Sequence, residues 1–319
     1  TGVQTCALPI FIVLLLVGIT LCHVEQPFIT KEHVEQVKLE SEFETFSFEE
    51  HPFKNYSEQR IKSLLGTIIP ANPEEVPYGE INVSLPKSFD SRVTFKDCVH
   101  PIRDQRACGS CWAFGASEVL SDRFCIASKG QINTVLSPQD MVSCDKNDMG
   151  CNGGWLNHAW SYLQTTGIVS DECLPYTSGN GDSGVCPSSD FLRHTCPNGK
   201  AFRKYKVSSF KRYATITAIK TELMTNGPIE TGFTVYADFM SYKGGVYKRK
   251  SSQIMGGHAI KVVGWGVDTD GTEYWIAANS WNTGWGEKGF FRIAFGQCSF
   301  ESQMYAGVPV LTSEELFLQ

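Results

Sequence analysis

Gln105-Arg-Ala-Cys-Gly-Ser-Cys-Trp-Ala-Phe114 is the stretch on which the reading of this chain turns. Onward from Ser110 to Ile126, apolar residues return at helical spacing at Trp112, Phe114, Val119, Leu120 and Phe124. That pattern predicts a buried helix beginning at Ser110, with Cys111 in its first turn. A thiol there meets the positive end of the helix dipole and unpaired backbone N–H groups, both of which favour the thiolate. Two other readings stand beside a reactive Cys111. It could be half of one more disulfide, or Cys108 and Cys111 could form a redox CxxC pair. Exchange motifs of that kind follow a strand in a small βαβ unit, and none is evident here.

A thiolate that cleaves an amide needs a partner that moves protons, because the leaving amine must be protonated. His258, in Met255-Gly-Gly-His-Ala-Ile260, is the candidate, with small residues before it and a buried strand expected after it. Asn279, in Ala278-Asn-Ser-Trp281, carries an amide that can orient the imidazole without adding charge, and Trp281 can cover that hydrogen bond from water.

The rest of the chain bounds the class. With 319 residues and 42% apolar content it can bury a sizeable core. Helical patterning at 110–126, 156–163 and 218–225 precedes the β-rich runs GFTVY, HAIKVVGWG, EYWIAANSW and GFFRIAFG, so an α+β protein of two lobes is expected. Net charge is -6, and residues 24–84 hold 12 Glu and no Asp against 5 Lys plus Arg. The remainder is close to neutral, which gives nucleic-acid binding no support. Ile10–Leu21 is a 12-residue apolar run, too short to span a bilayer and suited to a cleaved secretory signal over 1–23. The first ten residues, TGVQTCALPI, lack a Met and a basic region and are read as foreign to that signal.

Residues 24–65 look like a small helical prosegment, with Ser57 and Glu58 opening a helix that Gly66 closes. Pro70, Pro73, Pro77 and Pro86 mark an extended linker on a surface or through a cleft, and the mature protein is expected from about residue 85. Sequons stand at Asn55 and Asn82. Of 12 Cys, Cys6 and Cys22 fall in the part expected to be lost. The other ten allow five bridges, or four bridges and two thiols.

Cys108-Gly-Ser-Cys-Trp112, the Gly-His-Ala block at 257–259 and Asn279-Ser-Trp-Asn-Thr-Gly-Trp-Gly286 together resemble the papain family of cysteine peptidases, within it the cathepsin B branch. The resemblance spans about residues 85–310 and, more loosely, the prosegment, where Lys62-Ser-Leu-Leu-Gly66 is similar to the short cathepsin B propeptide. It implies a papain-like two-lobed fold, helical near 95–195 and strand-rich (β-barrel-like) near 196–310, with 24–84 blocking the cleft between them. By position, Cys111 would attack, His258 would shuttle the proton and Asn279 would align it. Gln105 would bind the oxyanion together with the Cys111 N–H. Gly153 and Gly154 of Cys151-Asn-Gly-Gly154 would pair with a substrate strand, beside Trp281. The implied disulfides are Cys98–Cys125, Cys108–Cys151, Cys144–Cys186 and Cys173–Cys196, leaving Cys111 and Cys298 as thiols. Peptide or protein substrates, the chain's own propeptide and cystatin-type inhibitors are the implied partners, with no cofactor, no metal and no membrane after signal cleavage. A secretory route to an acidic vesicle or the extracellular space follows. The rival class is a non-catalytic binding or matrix module on the same fold, which would leave Cys111 unlabelled by an epoxide inhibitor.

Three departures from the cathepsin B pattern bear on substrate choice. Cys173 to Cys196 is short and has only His194 where an occluding loop carries adjacent histidines, so C-terminal dipeptide release is expected to be lost. Gln303, in Cys298-Ser-Phe-Glu-Ser-Gln303, replaces the acidic floor of the S2 pocket and should favour an apolar P2. Arg106 follows Gln105 where a small residue is usual, either a cation beside the cleft or a solvated surface side chain. The -7 prosegment also implies an acid switch, its glutamates losing their contacts as they are protonated.

Overall fold

The computed structural model describes residues 25–73, 75–80, 84–187, 196, 199 and 202–312. The expected signal region, Asn82 and His194 lie outside them. On the helical side one helix dominates, Cys111–Ala127, in which every residue through Cys125 is buried. Such an all-round buried helix must be enclosed by other elements. Helices Pro138–Cys144 and Leu156–Thr165 enclose it, and Trp112, Leu120, Phe124, Leu156, Trp160 and Leu163 form the shared core.

The strand-rich side is an eight-stranded sheet. Its neighbours run Val207–Arg212, Tyr305–Pro309, Ile229–Tyr236, Ile254–Val267, Glu273–Ala278, Phe290–Ala294 and Val246–Tyr247, and Phe89–Asp90 pairs with the long Ile254–Val267 strand. Antiparallel pairing sets Phe233 opposite His258 and Lys261 opposite Ala278, so the two strands flanking Ile254–Val267 fix where His258 and Asn279 emerge. The helix Ile216–Asn226 is capped by Thr215, whose side chain accepts from Ala218 N–H, and Gly227 ends it. The two sides exchange chain across the boundary expected near 196. Val207 and Ala259 belong to the core of the helical side, and Phe89 to that of the strand-rich side. Cys98–Cys125, Cys108–Cys151, Cys144–Cys186 and Cys173–Cys196 are bonded, while Cys111 and Cys298 are free.

Residues 25–69 are laid over the strand-rich side. Helix Lys31–Glu40 is capped by Thr30, whose Oγ1 accepts from His33 N–H at 3.1 Å, and it buries Val34 and Val37. Strand Glu44–Thr45 then pairs antiparallel with Tyr242–Gly244, and Phe53 meets Trp281 edge-on at 5.6 Å. The helix expected to run from Ser57 to Gly66 covers only Glu58–Lys62, with Ser63 its C-cap. Leu64 and Leu65 N–H still bond back to Ile61 and Lys62, and from Gly66 to Ile68 the backbone N–H groups bond instead to Cys111, Gly257 and Gly154. The cleft is thus crossed upstream of the proline-rich linker. That linker instead caps a helix, Pro77 and Tyr78 carbonyls accepting from Ile216 and Thr217 N–H at 2.9 Å each.

Candidate active site

Cys111 is the first residue of its helix and is 0% exposed. Its Sγ faces donors on the prosegment, the Gly66 N–H at 3.3 Å and the Thr67 hydroxyl at 3.1 Å. The helix start was expected to favour the thiolate, and here the thiol is pushed up instead. Burial is the main cause, and it outweighs hydrogen bonding from Thr67 and from the backbone N–H groups of Ala259, Gly66 and Trp112. The dipole argument assumed a sulfur near water, and the strand laid over Cys111 removes that water.

His258 is fully buried, and its Nε2 lies 2.7 Å from Asn279 Oδ1. That oxygen also accepts the Ser280 N–H at 2.8 Å, which fixes the amide's orientation. Nε2 must then carry the proton, which leaves the lone pair on Nδ1. Among the described residues Nδ1 has no hydrogen-bond partner, so its lone pair is the free one of the ring. Burial pushes the imidazole down to about 4, against the Asn279 bond, which holds it up. Trp281 stacks on the ring at 4.6 Å and 29°, covering the His258–Asn279 bond as its place in the sequence implied. The backbone after His258 reaches the sulfur through the Ala259 N–H, so the imidazole's strand and Cys111 meet.

Gln105 is also fully buried, with Nε2 donating to the carbonyls of Leu64 at 2.9 Å and Cys108 at 2.8 Å. The Ser280 hydroxyl donates to its Oε1 at 2.7 Å, turning the amide so that its N–H faces the cleft. Ser280 escaped the sequence reading, although it stands between Asn279 and Trp281. Nothing in Leu64 or Thr67 marks either residue by type; only their placement gives them contacts with the site.

Gly154 pairs with the prosegment, while the backbone of Gly153 bonds within its own loop, to Gly150 and Met149. Gly154 N–H donates to Gly66 O at 2.8 Å and its carbonyl accepts from Ile68 N–H at 3.0 Å, a parallel bridge centred on Thr67. Side chains are excluded here: a Cβ on Gly66 would lie 1.8 Å from Gly109 O, and one on Gly153 2.6 Å from Gly66 O. Gln303 is buried with Nε2 unpartnered, and among the described residues no hydrogen bond joins it to the groups above. Arg106 is exposed, at a depression it shares with Phe53, Tyr56, Arg60, Leu64 and Asp104.

Residues Leu64 to Thr67 of the prosegment bond the Gln105 amide, the Cys111 sulfur and the carbonyl of Gly257, the neighbour of His258, while among the described residues no hydrogen bond joins His258 Nδ1 to the sulfur. The sulfur is engaged by the Gly66 N–H and the Thr67 hydroxyl, so the bound strand covers the group that would attack a substrate.

A model of the papain family cysteine proteases matches residues 85–308. Cathepsin B-like CP3 of Giardia intestinalis is 40% identical over 263 residues, covering 80% of this chain and 86% of that protein. Cathepsin B-like cysteine proteinase 4 of Caenorhabditis elegans is 41% identical over 285 residues, 79% of this chain and 85% of its own length. Among solved structures, proCathepsin B S9 from Trypanosoma congolense superposes with a TM-score of 0.78 at 32% identity, covering 89% of this chain and 100% of that one.

Proposed function

This chain belongs to the papain family of cysteine proteases and is cathepsin B-like, and from that premise we propose an endopeptidase held as a zymogen by its own residues 24–84. Cys111 attacks the scissile carbonyl, and His258 takes its proton and returns it to the leaving amine. Asn279 and Trp281 hold the imidazole, and Gln105 with the Cys111 N–H receives the oxyanion. The observation that carries this reading is the position of Leu64 to Ile68. The segment occupies the Gln105 amide, the Cys111 sulfur and the Gly154 backbone at once.

The test is acid processing of the full chain followed by a peptide panel. Cleavage of Phe-Arg substrates should exceed that of Arg-Arg substrates by about tenfold or more, since an amide at Gln303 offers a P2 guanidinium no counter-charge. Internal cleavage should far outpace release of C-terminal dipeptides. Equal rates in the first comparison would remove the role given to Gln303, and equal rates in the second the endopeptidase assignment.

Release of the prosegment by acid is assigned differently from the sequence expectation. Two prosegment carboxylates that reach the enzyme, Glu42 on Lys250 and Lys248 and Glu50 on Lys243, are exposed surface pairs. Their lysines hold both carboxyls below the usual value, so those contacts are lost only as pH falls below about 4.5. His51 is buried in the prosegment, its Nδ1 accepting the Phe53 N–H at 3.1 Å and its Nε2 3.2 Å from Ser241 Oγ. A proton on Nδ1 would point at that N–H. Burial, with His33 nearby, pushes the ring from 6.5 down to about 4, and burial lowers His33 too, against the pull of Asp238.

A depressed imidazole stabilises docking fully above its free value and progressively less as pH falls toward 4. We therefore place the acid response in the histidines. His51→Gln keeps a donor and an acceptor but cannot protonate in this range. Processing of that variant at about pH 5 should slow by up to about 30-fold, the linkage limit for such a shift, with no change near pH 7. Equal processing rates for variant and parent at the lower pH would return the switch to the glutamates.

A further inference from the structure

The two oxyanion donors sit on different pieces of chain, the Gln105 amide in a loop and the Cys111 N–H at a helix start. The loop joining them holds Arg106 in a left-handed conformation, φ 53°, and no regular secondary structure sets its span. Tyr176 touches both of its ends. The phenol donates to the Gln105 backbone carbonyl at 2.8 Å. A phenol has one proton, so in the 2.9 Å contact with Ser110 the serine hydroxyl donates to the tyrosine oxygen. Ser110 is the N-cap of the Cys111 helix, yet its side chain makes no cap bond to that helix. Its hydroxyl is committed to Tyr176 instead. Phe114 meets the ring edge-on at 4.7 Å and 81° and fixes its plane. Burial pushes the phenol up to about 12, so the proton that the relay needs stays in place.

We infer that Tyr176 is a positioning residue for the oxyanion site, its hydroxyl tying Gln105 to Ser110 and so setting the separation of the amide and the Cys111 N–H. The inference rests on the reading of those two groups as the oxyanion donors. Tyr176 itself reaches neither the sulfur nor the imidazole through any hydrogen bond among the described residues. Its contribution passes through geometry alone, where a displacement of under an ångström is costly.

The test uses the full chain, processed at acid pH and normalised by active-site titration. Tyr176→Phe should lower kcat about fivefold to tenfold with KM within about twofold, since the donors are misaligned and not lost. Affinity for a peptide aldehyde should fall in parallel. There the sulfur bonds to the carbonyl carbon, the thiol proton is given up, and the former carbonyl oxygen points at the donors. Iodoacetamide alkylation, which exchanges a C–I bond for a C–S bond and builds no oxyanion, should keep its rate, and the melting temperature should hold.

In a Gln105→Ala background the tyrosine substitution should lose most of its effect, as coupled groups do. Should Tyr176→Phe fold poorly, Ser110→Ala removes the other half of the relay and should give a smaller loss of the same sign. The proposal is overturned if kcat is unchanged by Tyr176→Phe while Gln105→Ala lowers it, or if alkylation slows in step with turnover. A Gln105→Ala enzyme with intact kcat and aldehyde affinity would overturn the oxyanion reading beneath it.

Discussion

Cys111→Ser should leave a folded protein whose turnover, after processing by added parent enzyme, falls by at least about 10⁴-fold, as removal of other catalytic nucleophiles does. The imidazole is oriented at 2.7 Å by the neutral Asn279 amide, which lends Nδ1 less basicity than a carboxylate would. Such a base can take a proton from a thiol but hardly from an aliphatic hydroxyl, so the same geometry that serves sulfur fails oxygen. Stability should barely change, because the Gly66 N–H can donate to a serine oxygen, and the Thr67 hydroxyl can hydrogen-bond with it, as readily as with the sulfur. Steady-state kinetics, a thermal melt and epoxide labelling together check this. Undiminished peptide cleavage by the serine variant would refute the nucleophile assignment and with it the proposed mechanism.

Gln105→Ala should act on two states of the same molecule. In the processed enzyme it removes one oxyanion donor, and kcat should fall about 10²- to 10³-fold with KM little changed. In the zymogen the same amide holds the Leu64 carbonyl at 2.9 Å. Losing one such bond should loosen the covering strand by about threefold to tenfold, seen as faster processing by added parent enzyme. The two effects have opposite signs, less activity after release and easier release, which a general folding defect does not produce. A kcat within threefold of the parent would mean that the Cys111 N–H suffices alone. The Ser280 hydroxyl loses its acceptor in this variant, so stability should fall as well, and the kinetic comparison reads the oxyanion donor.

The inhibitory strand shows how far the primary structure could be read. Gly66 was taken as a helix stop, a sound inference from glycine after a helical pattern. Its actual constraint is the close approach of Gly109 and Gly153, which no local pattern encodes. The twelve glutamates point to an acid switch by charge alone, whereas the depression of the His51 ring follows from burial, which is a tertiary property.

By sequence alone, Cys111, His258 and Asn279 could be named as candidates from their local neighbours, and Gln105 from the resemblance to the papain family. The helix beginning at Cys111 and the strand carrying His258 were legible for the same reason, since both follow from hydrophobic periodicity over adjacent residues. Only the tertiary structure decided which groups those residues face: the Ser280 hydroxyl on Gln105, the Tyr176 relay, and a prosegment whose Gly66 N–H and Thr67 hydroxyl meet the sulfur. The physical reason is that periodicity is set by neighbours along the chain. Hydrogen-bond partners, water exclusion and the resulting protonation states are set by segments that are distant in sequence and meet only in the folded protein.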